Sequence, residues 1–140
     1  MAKKEYRYIG KSTPRKDAFD IVTGRTKFIN DLSVSNMLCG KVLRSPHPHA
    51  LIKSIDTAEA LRLPGVKAVL TYKNAPDWKG GGVPFHVRVL DSRVRYVGDA
   101  VALVAAETEE IGEEALRLIK VEYELLPAVY DVEEAMRPDA

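Results

Sequence analysis

Residues 100–125 read AVALVAAETEEIGEEALRLIKVEYEL, and the fold turns on how this stretch is read. Ala100 to Ala106 is continuously apolar, as a strand covered on both faces requires. Thr108 is placed to cap a helix, with Glu109 and Glu110 in the first turn, where the helix dipole favours negative charge. Ile111, Ala115, Leu118 and Ile119 fall at i, i+4, i+7 and i+8, one helical face. From Ile119 the period becomes two. Ile119, Val121, Tyr123 and Leu125 alternate with Lys120, Glu122 and Glu124, the pattern of a half-buried strand. The helix therefore hands over near Leu118, and Leu126-Pro127 ends the strand.

Upstream, Leu38 to Arg44 reads as a strand that stops at Ser45-Pro46, and Pro48 removes a further ladder donor. Ala50 to Ile55 is a second strand. Asp56 with Glu59 has capping-box spacing, so a short helix follows until Pro64-Gly65 stops it. Val66 to Thr71 resumes as a strand. Asn74 to Gly82 is a loop. Val83, Phe85, Val87 and Val89 then share one face of an alternating stretch. Asp91-Ser92 turns into a strand over Val94 to Val97, and Gly98-Asp99 punctuates again. Strands interleaved with two short helices imply an α/β (α+β) domain with a mixed sheet. Residues 1–32 read as an irregular N-terminal arm and residues 33–140 as the single folded domain. Phe19, Ile21, Val22, Phe28 and Ile29 are too many apolar residues for a polar tail and too irregular for one amphipathic helix. The arm is therefore expected to pack on a surface or on a second copy in a homodimer.

Composition narrows the function. The 21 Lys and Arg residues balance 20 Asp and Glu, so there is no electrostatic case for nucleic acid or an anionic membrane. Cys39 is the one cysteine, which excludes an intrachain disulfide or a thiolate cluster. No apolar run approaches the roughly 20 residues of a membrane helix, and residues 1–11 lack the apolar core of a signal peptide. These features favour a cytoplasmic setting.

The remaining chemistry-bearing residues have ordinary structural explanations. His47 and His49, two apart, could share a metal, yet a metal site needs three or four placed ligands. Pro46 and Pro48 suggest instead a rigid corner whose histidines bond to backbone. Ser45 lacks the strand–turn–helix setting and flanking glycine of a nucleophile elbow. Gly80 to Gly82 lead into a strand pattern rather than a helix N-terminus, unlike a phosphate loop. Asp99 follows a glycine in a turn, as aspartate often does for backbone reasons. Cys39 reads as a small core residue, and Trp78 as a loop anchor or a stacking group for a partner. No catalytic, cofactor-binding or metal-binding residue emerges.

Several segments in order resemble the xanthine dehydrogenase and aldehyde oxidase family of molybdenum hydroxylases. They are Arg15-Lys16-Asp17-Ala18, Val22-Thr23-Gly24, Phe28-Ile29-Asn30-Asp31, the run Gly40 to Ala50 (GKVLRSPHPHA), Leu63-Pro64-Gly65-Val66, Val94-Arg95-Tyr96-Val97-Gly98, Val101 to Ala105 and Val121 to Val129. The similarity extends from about Pro14 to Met136 and is to the a/b hammerhead domain that opens the molybdenum-binding part. The resemblance implies a parent enzyme that uses a molybdenum–pterin cofactor, iron–sulfur clusters and FAD. That parent hydroxylates purines, aldehydes or heteroaromatics with oxygen from water. It also implies that the glutamate base and cofactor-gripping loops lie in later domains, so this chain alone is expected to be inactive. Its partners would be the remaining molybdenum-binding domains and the iron–sulfur and flavin subunits or domains. Ser45, Pro46, His49, Pro64, Gly65 and Gly98 are then structural motif positions. The first three set a corner, Pro64 and Gly65 stop the helix, and Gly98 allows a tight turn. Asp99-Ala100 departs from many members after the glycine. A stand-alone binding module with a borrowed hammerhead fold is the alternative.

Overall fold

The structure is a computed structural model and describes residues 6–76 and 88–138. The chain divides into two compact units, Met1–Ser35 and Asn36–Ala140. The first is more regular than its apolar pattern suggests. It holds a short helix, α1 (Ala18–Val22), and a 3₁₀ turn, Ile29–Asp31. Local polar groups, rather than a buried stripe, close these turns. The Thr23 hydroxyl donates back to the Phe19 carbonyl at 2.6 Å, and the Asp31 carboxylate accepts from the Phe28 N–H at 2.9 Å. Neither turn buries a residue, and Phe19 and Ile29 are 61% and 85% exposed.

The second unit contains two three-stranded sheets. Its strands are β1 (Cys39–Arg44), β2 (Ala50–Asp56), β3 (Val66–Thr71), β4 (Arg93–Val94), β5 (Ala100–Ala106) and β6 (Lys120–Leu125). One sheet has the order β1-β5-β3 and the other β4-β2-β6. Helices α2 (Ala58–Arg62) and α3 (Glu109–Leu118) follow β2 and β5, and α4 (Val132–Ala135) follows β6. The class is α+β, but the single mixed sheet is replaced by two sheets whose strand pairings, among the described residues, are antiparallel. The apolar run of β5 therefore has another cause than a parallel sheet. It is the central strand between β1 and β3, with Val101, Ala102, Val104 and Ala106 buried in the core and Leu103 and Ala105 partly buried.

Ala50, Ile52 and Ile55 of β2 meet Val69, Val101, Ala102, Val104 and Ala106 in one buried cluster, closed by Ala60 and Ala115 from α2 and α3. The Thr108 hydroxyl accepts from the Ile111 N–H and caps α3. Gly112, in the middle of that helix, is buried, and a Cβ there would lie 2.8 Å from Lys41 Cγ. The lysine stem thus crosses the helix where there is no side chain. Its ammonium reaches Glu109 at 3.0 Å and Glu113 at 3.4 Å. The Glu109 hydrogen bond, followed by Glu113, raises the Lys41 pKa above 10.5.

Three details differ from the sequence pattern, and one stretch is not tested by the described residues. The alternating stretch at Val83 to Val89 lies mostly outside the described residues, as do Trp78 and Gly80 to Gly82. The strand over Val94 to Val97 pairs only at Arg93–Val94, because the Asp99 carboxylate takes the Arg95 N–H at 3.0 Å and curls the chain into a turn. Asp56 accepts from the Ala58 N–H, but no capping box forms: Glu59 pairs with Lys120 across 2.7 Å instead. Helix α4 has no apolar periodicity to announce it and is held by Asp131, whose carboxylate accepts from the N–H groups of Glu133 and Glu134.

Candidate functional site: the corner at Ser45 to His49

The corner joins β1 of one sheet to β2 of the other. Ser45 is its pivot and is 2% exposed. The Ser45 hydroxyl accepts from the His47 N–H and donates to the His47 carbonyl, each at 3.0 Å. The Ser45 main chain is tied to a second turn: its N–H donates to the Asp99 carbonyl, and its carbonyl accepts from the Gly98 N–H, both at 2.8 Å. Gly98 has φ +95°, a conformation that glycine adopts without a Cβ penalty. Arg44 donates to the Gly98 carbonyl at 2.8 Å. The Asp99 carboxylate accepts the N–H groups of Arg95 and Ala100, so its charge is directed at its own turn.

His49 is bonded on both ring nitrogens. Nε2 lies 2.9 Å from Nε and 2.7 Å from an Nη of Arg93, and Nδ1 lies against the Pro127 carbonyl. A guanidinium only donates and a carbonyl only accepts. Nε2 must therefore be the acceptor and Nδ1 the donor. The ring links the corner, β4 and the segment after β6. Leu126 reinforces that link by donating its N–H to the His49 carbonyl at 3.0 Å. His47 is not beside His49 in any shared role; its ring stands edge-on to Tyr123, with centroids 4.9 Å apart. Burial raises the Tyr123 phenol pKa above 10.0. Pro46 is exposed, while Pro48 and His49 line an open concavity of about 380 Å³ with Arg95, Tyr96, Val129 and Tyr130.

Pro64 and Gly65 lie elsewhere. Helix α2 ends at Arg62, Gly65 takes φ +91°, and β3 starts at Val66. A Cβ on Gly65 would lie 2.6 Å from Ile111 Cδ1, so α3 packs directly on the glycine. Cys39 is half-buried in β1. No three His, Cys, Asp or Glu side chains among the described residues are grouped to hold a metal ion. An iron–sulfur cluster takes four thiolates or their substitutes, and one cysteine does not fit that demand. Sequence reasoning missed Arg93 and Pro127 as the partners of His49. Neither has a local signal, because the contacts span 44 and 78 residues.

Residues 23–127 match the family model for the a/b hammerhead domain of aldehyde oxidase and xanthine dehydrogenase. The chain belongs to this family. Its hammerhead domain is 50% identical over 131 residues to a probable xanthine dehydrogenase subunit of Bacillus subtilis, covering 92% of this chain and 18% of that protein. It is 44% identical to the probable hypoxanthine oxidase of Escherichia coli K12, covering 94% and 15%. Among solved structures it resembles quinoline 2-oxidoreductase from Pseudomonas putida 86, with a TM-score of 0.83 and 39% identity over 94% of this chain and 18% of that one. The hammerhead domain thus spans less than a fifth of each of these three proteins. No helix of the described residues is long and apolar enough to cross a membrane.

Proposed function

We propose that this chain is a structural and docking domain of a molybdenum hydroxylase large subunit and supplies no catalytic group. The observation that carries this reading is the asymmetry of the match: more than nine-tenths of the chain aligns with less than a fifth of its Bacillus relative. The site geometry supports it. Ser45 spends its hydroxyl within its own turn, His49 spends both ring nitrogens, and Asp99 spends its carboxylate on two N–H groups. A nucleophile or base needs a free lone pair aimed at a substrate, and these residues are committed to holding a corner.

The parent reaction would be oxidative hydroxylation of a carbon next to nitrogen or oxygen, with a molybdenum–pterin group accepting the electrons and iron–sulfur clusters and FAD carrying them on. Those groups, and the partners that bind them, would lie outside residues 1–140. Residues 1–32 act as an arm and 33–140 as the hammerhead body. The single cysteine suits a reducing, cytoplasmic setting. The test is a chimera in which this chain replaces the matching segment of the Bacillus subtilis protein. A docking domain should restore assembly and xanthine oxidation to within about tenfold of the parent, since the swap leaves transition-state contacts in place. Failure to assemble, where the native segment succeeds, would favour a stand-alone module.

A further inference from the structure

The two sheets of the hammerhead body treat their outer faces differently. The outer side of β4-β2-β6 is solvated: Lys53 pairs with Glu124 at 3.3 Å, and Ser54 donates to Glu122 at 2.7 Å. That is the usual solution for an antiparallel sheet with one covered face. The β1-β5-β3 sheet does not follow it. Its inner face is covered by α2 and α3. On its other face, Gly40, Ala105 and Ala68 form one register row and Val42, Leu103 and Leu70 the next. These six residues, with Lys41 and Val104, line a trough of about 330 Å³ that is open to solvent. A row of small residues beside a row of branched ones forms a step that a packed element can fill.

We propose that this outer face is a permanent docking surface, covered by an apolar segment of the molybdenum-binding remainder of the large subunit. The inference rests on the docking reading above. Two observations select the occupant. Uncharged, apolar contacts mark obligate interfaces rather than transient ones. The Bacillus and Escherichia relatives also have more than four-fifths of their length outside the matched segment, enough to provide a constant partner.

Thiol accessibility tests it, with Cys39→Ser as the background. Leu70→Cys and Val42→Cys probe two strands of the face, and Lys53→Cys on the other sheet reports that the reagent is active. Each is labelled with a maleimide in the isolated chain and in the Bacillus chimera. We expect labelling at positions 70 and 42 to slow by at least about tenfold in the chimera, because interface cores pack as densely as protein interiors. Equal rates in a chimera that oxidises xanthine would overturn the proposal and leave the docking reading intact. A chimera that does not assemble would overturn both.

Discussion

At the scale of single residues, two glycines separate backbone strain from steric conflict. Gly65 and Gly98 have nearly the same φ, +91° and +95°. A Cβ at Gly98 would meet nothing within 4 Å, whereas one at Gly65 would collide with Ile111. Gly98→Ala should therefore cost about 1–2 kcal/mol from backbone strain alone, with Gly98→Val towards a few kcal/mol. Gly65→Ala should cost more than Gly98→Ala, and urea midpoints would rank them. The opposite ranking would show that α3 yields easily. His49 offers a spectroscopic check: ¹⁵N chemical shifts should show the proton on Nδ1, the reverse of the usual tautomer of free neutral histidine. A proton on Nε2 would mean that the Arg93 contact does not persist. Asp91 sets a pH dependence. Burial alone would raise its pKa, but the Arg95 ion pair at 2.9 Å and the N–H groups of Arg93 and Ser92 outweigh it and hold the pKa below 3.8. A carboxylate depressed in the folded state stabilises above its unfolded pKa, and that contribution is lost as pH falls through the folded pKa. Wild type should exceed Asp91→Asn in stability above about pH 5, and the difference should shrink as pH falls through the depressed folded pKa, below 3.8. A difference independent of pH would contradict this.

At the scale of elements, the Thr108 cap is the clearest case. Thr108→Ala removes the acceptor for the Ile111 N–H and should cost about 0.5–2 kcal/mol, while Thr108→Ser should retain most of the stability. Thermal melts would decide it. This cap, α3 and the runs that form β1, β2, β3, β5 and β6 were legible in the sequence because each has a local period or a local stop. The turn at Arg95 to Asp99 was not. Val94 to Val97 carries a strand-like composition, and only the three-dimensional placement of the Asp99 carboxylate shows why pairing ends at Val94. Gly112 was passed over for the same reason: a helical glycine costs about 1 kcal/mol against alanine, and what offsets it is a lysine stem more than 70 residues away. The corner at Ser45 was recognisable from its prolines. Its ties to Gly98, Arg93 and Pro127 span the chain and leave no pattern. The Glu59 capping box failed because Lys120, on a neighbouring strand, competes for the same carboxylate.

At the scale of the whole molecule, Ser45, His49 and Asp99 direct their polar groups at the turns and strands around the corner, and the β1-β5-β3 sheet has an apolar outer face. Molybdenum content per polypeptide reports directly where the molybdenum–pterin group is held. It should be taken in parallel on the isolated chain and on the Bacillus chimera, both expressed with molybdate. The isolated chain should carry background molybdenum and the chimera a stoichiometric amount. Stoichiometric molybdenum in the isolated chain would contradict this.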